Sequence, residues 1–162
     1  MKNQAMERQQ SAEATHISDA TLRNFLGYHM KRAFNVVQAD LVQTLKPFDL
    51  RMLTYTALVL IVDNPSMRQS QLADAMDIER PNLVVIIDEL ERRELIIRDH
   101  VPTDRRAYAI KATLAGRRLY ERAIAAVSQH ENALTQGLSA DSRQAMIDAL
   151  GLIESRKNRP RT

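Results

Sequence analysis

Between Ser18 and Lys46, apolar residues recur at helical spacing: Leu22, Phe25, Leu26, Ala33, Phe34, Val37, Leu41 and Leu45. Such steps line one face of a helix. The pattern predicts one long amphipathic helix, with Ser18 as N-cap and Pro47 as its stop. A second helix is expected from about Asp49 to Val62, where Met52–Val62 is apolar almost all round and so should be buried. Asn64-Pro65 reads as a break. Ser66-Met67-Arg68-Gln69 fits a capping box for a short helix to Met76, anchored by Leu72, Ala73 and Met76. Asp77-Ile78-Glu79 is a tight connection. Pro81 then sits in the tolerant first turn of a helix that runs to about Arg93. Leu83, Ile87 and Leu90 face inward there, and Val85 and Ile86 are read as outward.

The period then changes. Ile96–Val101 and Ala107–Ala112 have strand character and are separated by Pro102-Thr103-Asp104-Arg105-Arg106. This reads as a two-stranded hairpin with a charged tip, with Tyr108, Ile110 and Ala112 on one face. Helical spacing returns from Thr113 through Leu114, Leu119, Ile124, Val127 and Leu134 until Gly137 breaks it. Ser139 caps a last helix carrying Met146, Ile147, Leu150 and Ile153. Residues 1–17 and 157–162 read as tails. The order of short helix, tight turn, helix and ribbon predicts a mainly α fold, a winged helix-turn-helix of about six helices and a two-stranded β wing.

Composition narrows the chemistry. The 162 residues include no cysteine. That excludes disulfide scaffolds, thiolate zinc sites, cysteine nucleophiles and thiol redox sensing, and it points to the cytoplasm. With 4 glycines, 5 prolines and 4% aromatics, the chain suits long helices. No apolar run is long enough for a membrane span, and the polar start does not read as a signal peptide. The net charge of +3 is mild, but it is unevenly spread. Arg92–Arg122 holds nine basic residues against four acidic, and Asp49–Glu91 three basic against eight acidic. Such asymmetry suggests a directed electrostatic surface, although a charge cluster is more often just a solvated face.

The sequence resembles the multiple antibiotic resistance regulator (MarR) family. The resemblance runs through Ser70-Gln71-Leu72-Ala73, the stretch Ile78–Leu90 and Leu90–Arg98, and is sharpest at Asp104-Arg105-Arg106 followed by Ile110–Thr113 and Gly116. It covers roughly residues 18–155. It implies an obligate homodimer with intertwined terminal helices that binds a pseudo-palindromic operator, usually as a repressor released by a small ligand. Residues 18–47 and 114–156 would dimerise, and residues 48–113 would bind DNA. On this resemblance, Asp104 braces Arg106, and Arg105 or Arg106 enters the minor groove. Arg68, Ser70 and Gln71 look like phosphate contacts. Arg80, Pro81 and Asn82 open the recognition helix; Asn82 could read adenine and Arg80 guanine or phosphate. Val85 could touch a thymine methyl. Arg98, at the base of the wing, is either structural or a phosphate contact.

The sequence departs from the family pattern in places. Asp88, Glu89 and Glu91 on the recognition helix would repel phosphates unless they face away. Glu94 stands where the family has glycine, so either it takes a positive φ or the helix ends differently.

For an effector, Tyr28, His29, Arg32, Arg51 and Tyr55 are expected around a cavity between the dimer helices and the DNA-binding lobe. Such a pocket would suit an aromatic carboxylate or its acyl-CoA thioester. His29 shares its stripe with apolar residues, where a core or interface role is the commoner outcome. The four histidines show no paired spacing, so no metal site is expected. No cofactor is expected either, and no Gly-rich phosphate loop or nucleophile elbow points to an enzyme. The competing reading is a winged-helix protein-interaction module that uses its acidic stretch.

Overall fold

The computed structural model describes residues 17–101 and 104–158. The expected N-terminal tail, apart from Ile17, and the end of the C-terminal tail lie outside the described residues, as do Pro102 and Thr103 at the hairpin tip. The chain divides into two compact units between Val37 and Gln38.

Helix α1 spans Leu26–Leu45, preceded by a 3-10 turn at Leu22–Asn24. The single helix expected from Ser18 is therefore broken, at Phe25, whose backbone is extended (φ −110°, ψ 125°). The reason is local. Asp19 accepts hydrogen bonds from Arg23 Nε at 2.9 Å and from the Tyr28 hydroxyl at 2.6 Å, pinning the segment across the break. Short polar side chains compete in this way with helix continuation. Ser18 caps no helix; its Oγ accepts from Ala20 N at 3.4 Å.

A 3-10 turn at Lys46–Phe48 leads into helix α2, Met52–Asp63. It starts later than the apolar pattern suggested because Thr54 supplies the cap. Its Oγ1 accepts from Arg51 N at 2.9 Å and donates to Arg51 O at 3.0 Å, which satisfies a fully buried hydroxyl.

Strand β1, Met67–Arg68, was not expected at all. It pairs with β3 in the register Met67↔Ile110 and Arg68↔Ala109. Two residues carry no readable period. Their pairing displaces the start of helix α3 to Gln69–Met76. Ser66 is thus not its cap: it sits in a turn at φ 69°, and Gln71 Oε1 accepts from Arg68 N at 2.9 Å instead.

Helix α4, Arg80–Arg92, buries Leu83, Ile86, Ile87 and Leu90. Ile86 therefore faces the core, correcting the outward reading; with Leu83 and Leu90 it completes a stripe at steps of three and four. Strands β2 (Ile96–Val101) and β3 (Asp104–Ala112) form the hairpin, and the antiparallel sheet runs β1-β3-β2. The single-face reading of β3 holds only in part: Ile110 is fully buried, Tyr108 is exposed, and Ala109 of the other face is also buried. Helices α5 (Leu114–Leu134) and α6 (Ala140–Glu154) follow. Thr113 and Ser139 cap them, accepting from Gly116 N and Ser142 N. Gly137, at φ 93°, makes the turn between them.

The core of the second unit is apolar and continuous. Leu45, Leu58, Ile61, Leu72, Ile87, Leu90, Ile96 and Ile110 are all enclosed. It clamps α2, α3, α4 and the sheet into one body and so fixes where α4 stands relative to the hairpin.

Candidate nucleic-acid interface

Helix α4 ends in a turn that sets the base of the hairpin. Glu94 N donates to Glu91 O at 2.8 Å, and Leu95 N to Leu90 O at 3.0 Å. This is a Schellman turn, whose penultimate residue must be left-handed. Glu94 takes that conformation at φ 56°, the first of the two expected alternatives. A residue with a Cβ pays about 1–2 kcal/mol there. The surroundings hold it: Thr113 Oγ1 donates to Glu94 O at 2.7 Å and Thr113 N to Leu95 O at 3.0 Å. Gly116 packs against the same peptide, so closely that an added Cβ would lie 2.0 Å from Leu95 O.

The inward stripe of α4 leaves Pro81, Val84, Val85 and Asp88 on the outward one. At its N-terminus Arg80 and Asn82 are also exposed, and Arg80 forms no ion pair among the described residues. Arg68 and Gln71 are exposed at the start of α3, and Ser70 is half-buried. Gln71 already uses its carbonyl oxygen on Arg68 N. Asp104, Arg105 and Arg106 begin β3, with Asp104 opposite Val101 in the register. Their side chains, and so the expected Asp104–Arg106 ion pair, lie outside what is described.

The three carboxylates of α4 are neutralised from within. Arg98 of β2 pairs with Asp88 through Nη2 and approaches Glu91 at 3.4 Å through Nε. Arg51, just before α2, pairs with Glu89. Arg98 thus ties the hairpin to α4. Arg93 donates to the Phe48 and Asp49 carbonyls and anchors the end of the same helix. Sequence reasoning missed both carboxylate pairings. The usable signal was Asp88 and Glu91, one helical step apart on α4, with an arginine two residues into the next strand. With these acids paired, the argument for an acidic docking surface weakens.

The residues expected around an effector fall into both units. In the first, Tyr28, His29 and Arg32 form a local cluster. Arg32 Nη1 donates to the Tyr28 hydroxyl at 3.3 Å, and its guanidinium lies 5.6 Å from that ring's centroid. His29 Nε2 lies 2.8 Å from Arg23 O. The hydrogen bonds from Tyr28 and then Arg23 hold the Asp19 carboxyl below its usual range. In the second unit, Arg51 is engaged by Glu89, and Tyr55 is half-buried. Burial, then the neighbouring Tyr120 and Asp63, push the Tyr55 phenol up. Tyr120 donates to Asp63 at 2.9 Å, joining α5 to α2.

Residues 50–108 match the sequence model of the MarR family. A Thauera aromatica protein named for transcriptional regulation of the hcr operon is 31% identical over 140 residues, 86% of this chain and 82% of that protein. The structure of the transcriptional repressor CouR bound to a 23-mer DNA duplex is 34% identical, with a TM-score of 0.82, and the match covers 86% of this chain and 99% of that one. CouR from Rhodococcus jostii RHA1 bound to p-coumaroyl-CoA is 32% identical, with a TM-score of 0.76, over 84% of this chain and 95% of that one.

Proposed function

The chain belongs to the MarR family, and from that premise we propose that it represses transcription as a homodimer on a pseudo-palindromic operator, and that a small aromatic acid or its acyl-CoA thioester releases it. That it is a DNA-binding regulator and not an enzyme follows from the family itself. The finer proposal is carried by one observation: repressors named CouR are solved both on DNA and with p-coumaroyl-CoA, and this chain matches both over nearly their whole length.

In the proposed complex, residues 48–113 bind DNA, and residues 18–47 and 114–156 dimerise. Two copies of α4 then enter successive major grooves roughly 34 Å apart. Arg80 and Asn82 meet base edges or phosphates. Arg68, Ser70 and Gln71 meet phosphates, and Arg105 or Arg106 reaches the minor groove from the wing. Arg98 acts by holding the wing to α4. Tyr28, His29, Arg32, Arg51 and Tyr55 are the candidate effector contacts, offering phenols and cations to an aromatic anion. The effector acts by binding better to a dimer whose α4 spacing does not fit DNA; equal affinity for both forms would shift nothing.

The test is DNA binding to the protein's own upstream region at two salt concentrations, with aromatic acids and their thioesters added. Tight, salt-dependent binding abolished by one compound is the expected result. Arg106→Ala should weaken binding and flatten its salt dependence. Binding that no compound releases would reject the effector proposal. An unchanged affinity and slope in Arg106→Ala would reject the wing's role.

A further inference from the structure

The outward stripe of α4 is apolar where direct base readout is usually polar. Val84 is 44% exposed and Val85 63% exposed, side by side on the stripe between Pro81 and Asp88. Neither contributes to the core formed by Leu83, Ile86, Ile87 and Leu90. The stripe's polar end, Asp88, is already held by Arg98.

Base edges in the major groove present hydrogen-bond donors and acceptors, with one kind of apolar group among them, the C5-methyl of thymine. A valine pressed against any other edge would strip water from a donor or acceptor and give it no partner. We infer that Val84 and Val85 make this chain a reader of pyrimidine C5-methyl groups, so that its operator half-site carries thymine under the middle of α4. The inference rests on the DNA-binding reading above and deepens it, naming the base feature that decides specificity where polar readers are few. Arg80 and Asn82, one turn earlier on the helix, then supply the polar part of the same readout. A methylated cytosine presents the same group, so the shared chemistry is the methyl and thymine is its unmodified source.

The experiment starts with selection of bound duplexes from random DNA. Each thymine of the selected half-site is then replaced by deoxyuridine, which removes only the methyl. At one or two positions per half-site affinity should fall about fourfold per methyl, the equivalent of one buried carbon. The Val84→Ala, Val85→Ala double variant should bind the thymine duplex more weakly and gain nothing from the methyl at those positions. Both side chains are exposed, so its melting temperature should match that of the parent. At the sensitive positions, 5-methylcytosine paired with guanine should bind better than cytosine paired with guanine. If it does not, the readout belongs to thymine alone. Selective, salt-dependent binding that ignores every deoxyuridine replacement would overturn the inference and leave the DNA-binding reading intact. If no sequence is selected, both fall.

Discussion

In the second unit, Leu58, Ile61, Leu72, Ile87, Leu90, Ile96 and Ile110 are enclosed to within about one per cent of their surface. In α6, Met146, Ile147, Leu150, Leu152 and Ile153 remain 40–67% exposed, and the helix buries no residue. Helix α1 shows the same bareness: Leu26, Phe34, Val36 and Val42 are 47–63% exposed, and only Leu45 at its end is buried. The winged helix-turn-helix encloses a continuous core, whereas α6 encloses nothing and α1 only Leu45. Contiguous bare apolar faces mark surfaces that a partner covers, and a second copy of the chain is the occupant the family suggests. The reading lobe has an enclosed core of its own, and in the proposed homodimer the bare faces of α1 and α6 are what the second copy covers.

Breaking the helices should have the largest effect. Ile147→Glu with Leu150→Glu puts two charges on the bare face of α6. Operator affinity should fall more than about a hundredfold as the dimer is lost, since a buried unpaired charge costs several kcal/mol. Light scattering should report a monomer whose reading lobe still melts cooperatively. A dimer of unchanged mass would remove α6 from the interface.

Breaking the lobe comes next. Gly116→Ala would drive its Cβ into the Leu95 carbonyl, a backbone atom with little room to move. A loss of about 2–3 kcal/mol is expected, within the range for overpacking, and is measurable as a lower urea midpoint. Full parental stability would show that α5 can shift away from the turn.

Arg98→Ala separates stability from recognition. The pair is partly exposed, so unfolding should change by less than about 1 kcal/mol. DNA affinity should drop roughly tenfold, because Asp88 and Glu91 would then face phosphates unneutralised. Adding Asp88→Asn and Glu91→Gln should restore most of it. The smallest change should be a gain: Glu94→Gly relieves a left-handed glutamate and should stabilise the lobe by up to about 1 kcal/mol.

The periodic parts of this architecture were legible in the sequence. Helices α2 to α6 and the hairpin followed from spacing, because each carries apolar residues whose period repeats over several turns or pleats. What stayed hidden depends on single contacts. The break at Phe25 is set by Asp19 reaching Tyr28, and β1 exists because β3 offers it a register. Ile86 was misplaced because a stripe of four apolar neighbours, Val84 to Ile87, does not by itself say which two face in. In the site, Arg80, Asn82 and Val85 were legible as outward residues at the start of a recognition helix. The pairing of Arg98 with Asp88 and Glu91 was not, because it needs the angle between a strand and a helix.

That internal pairing reaches beyond the operator. Arg51, Arg93, Arg98 and Lys111 are each engaged by a carboxylate of the same chain. Cations committed in this way are poor at gripping anonymous backbone, and a chromosome offers on the order of millions of anonymous sites that compete for every copy of a regulator. A chain that holds back its positive charge lingers less on those sites. More of its molecules remain available for the one sequence whose groove it fits.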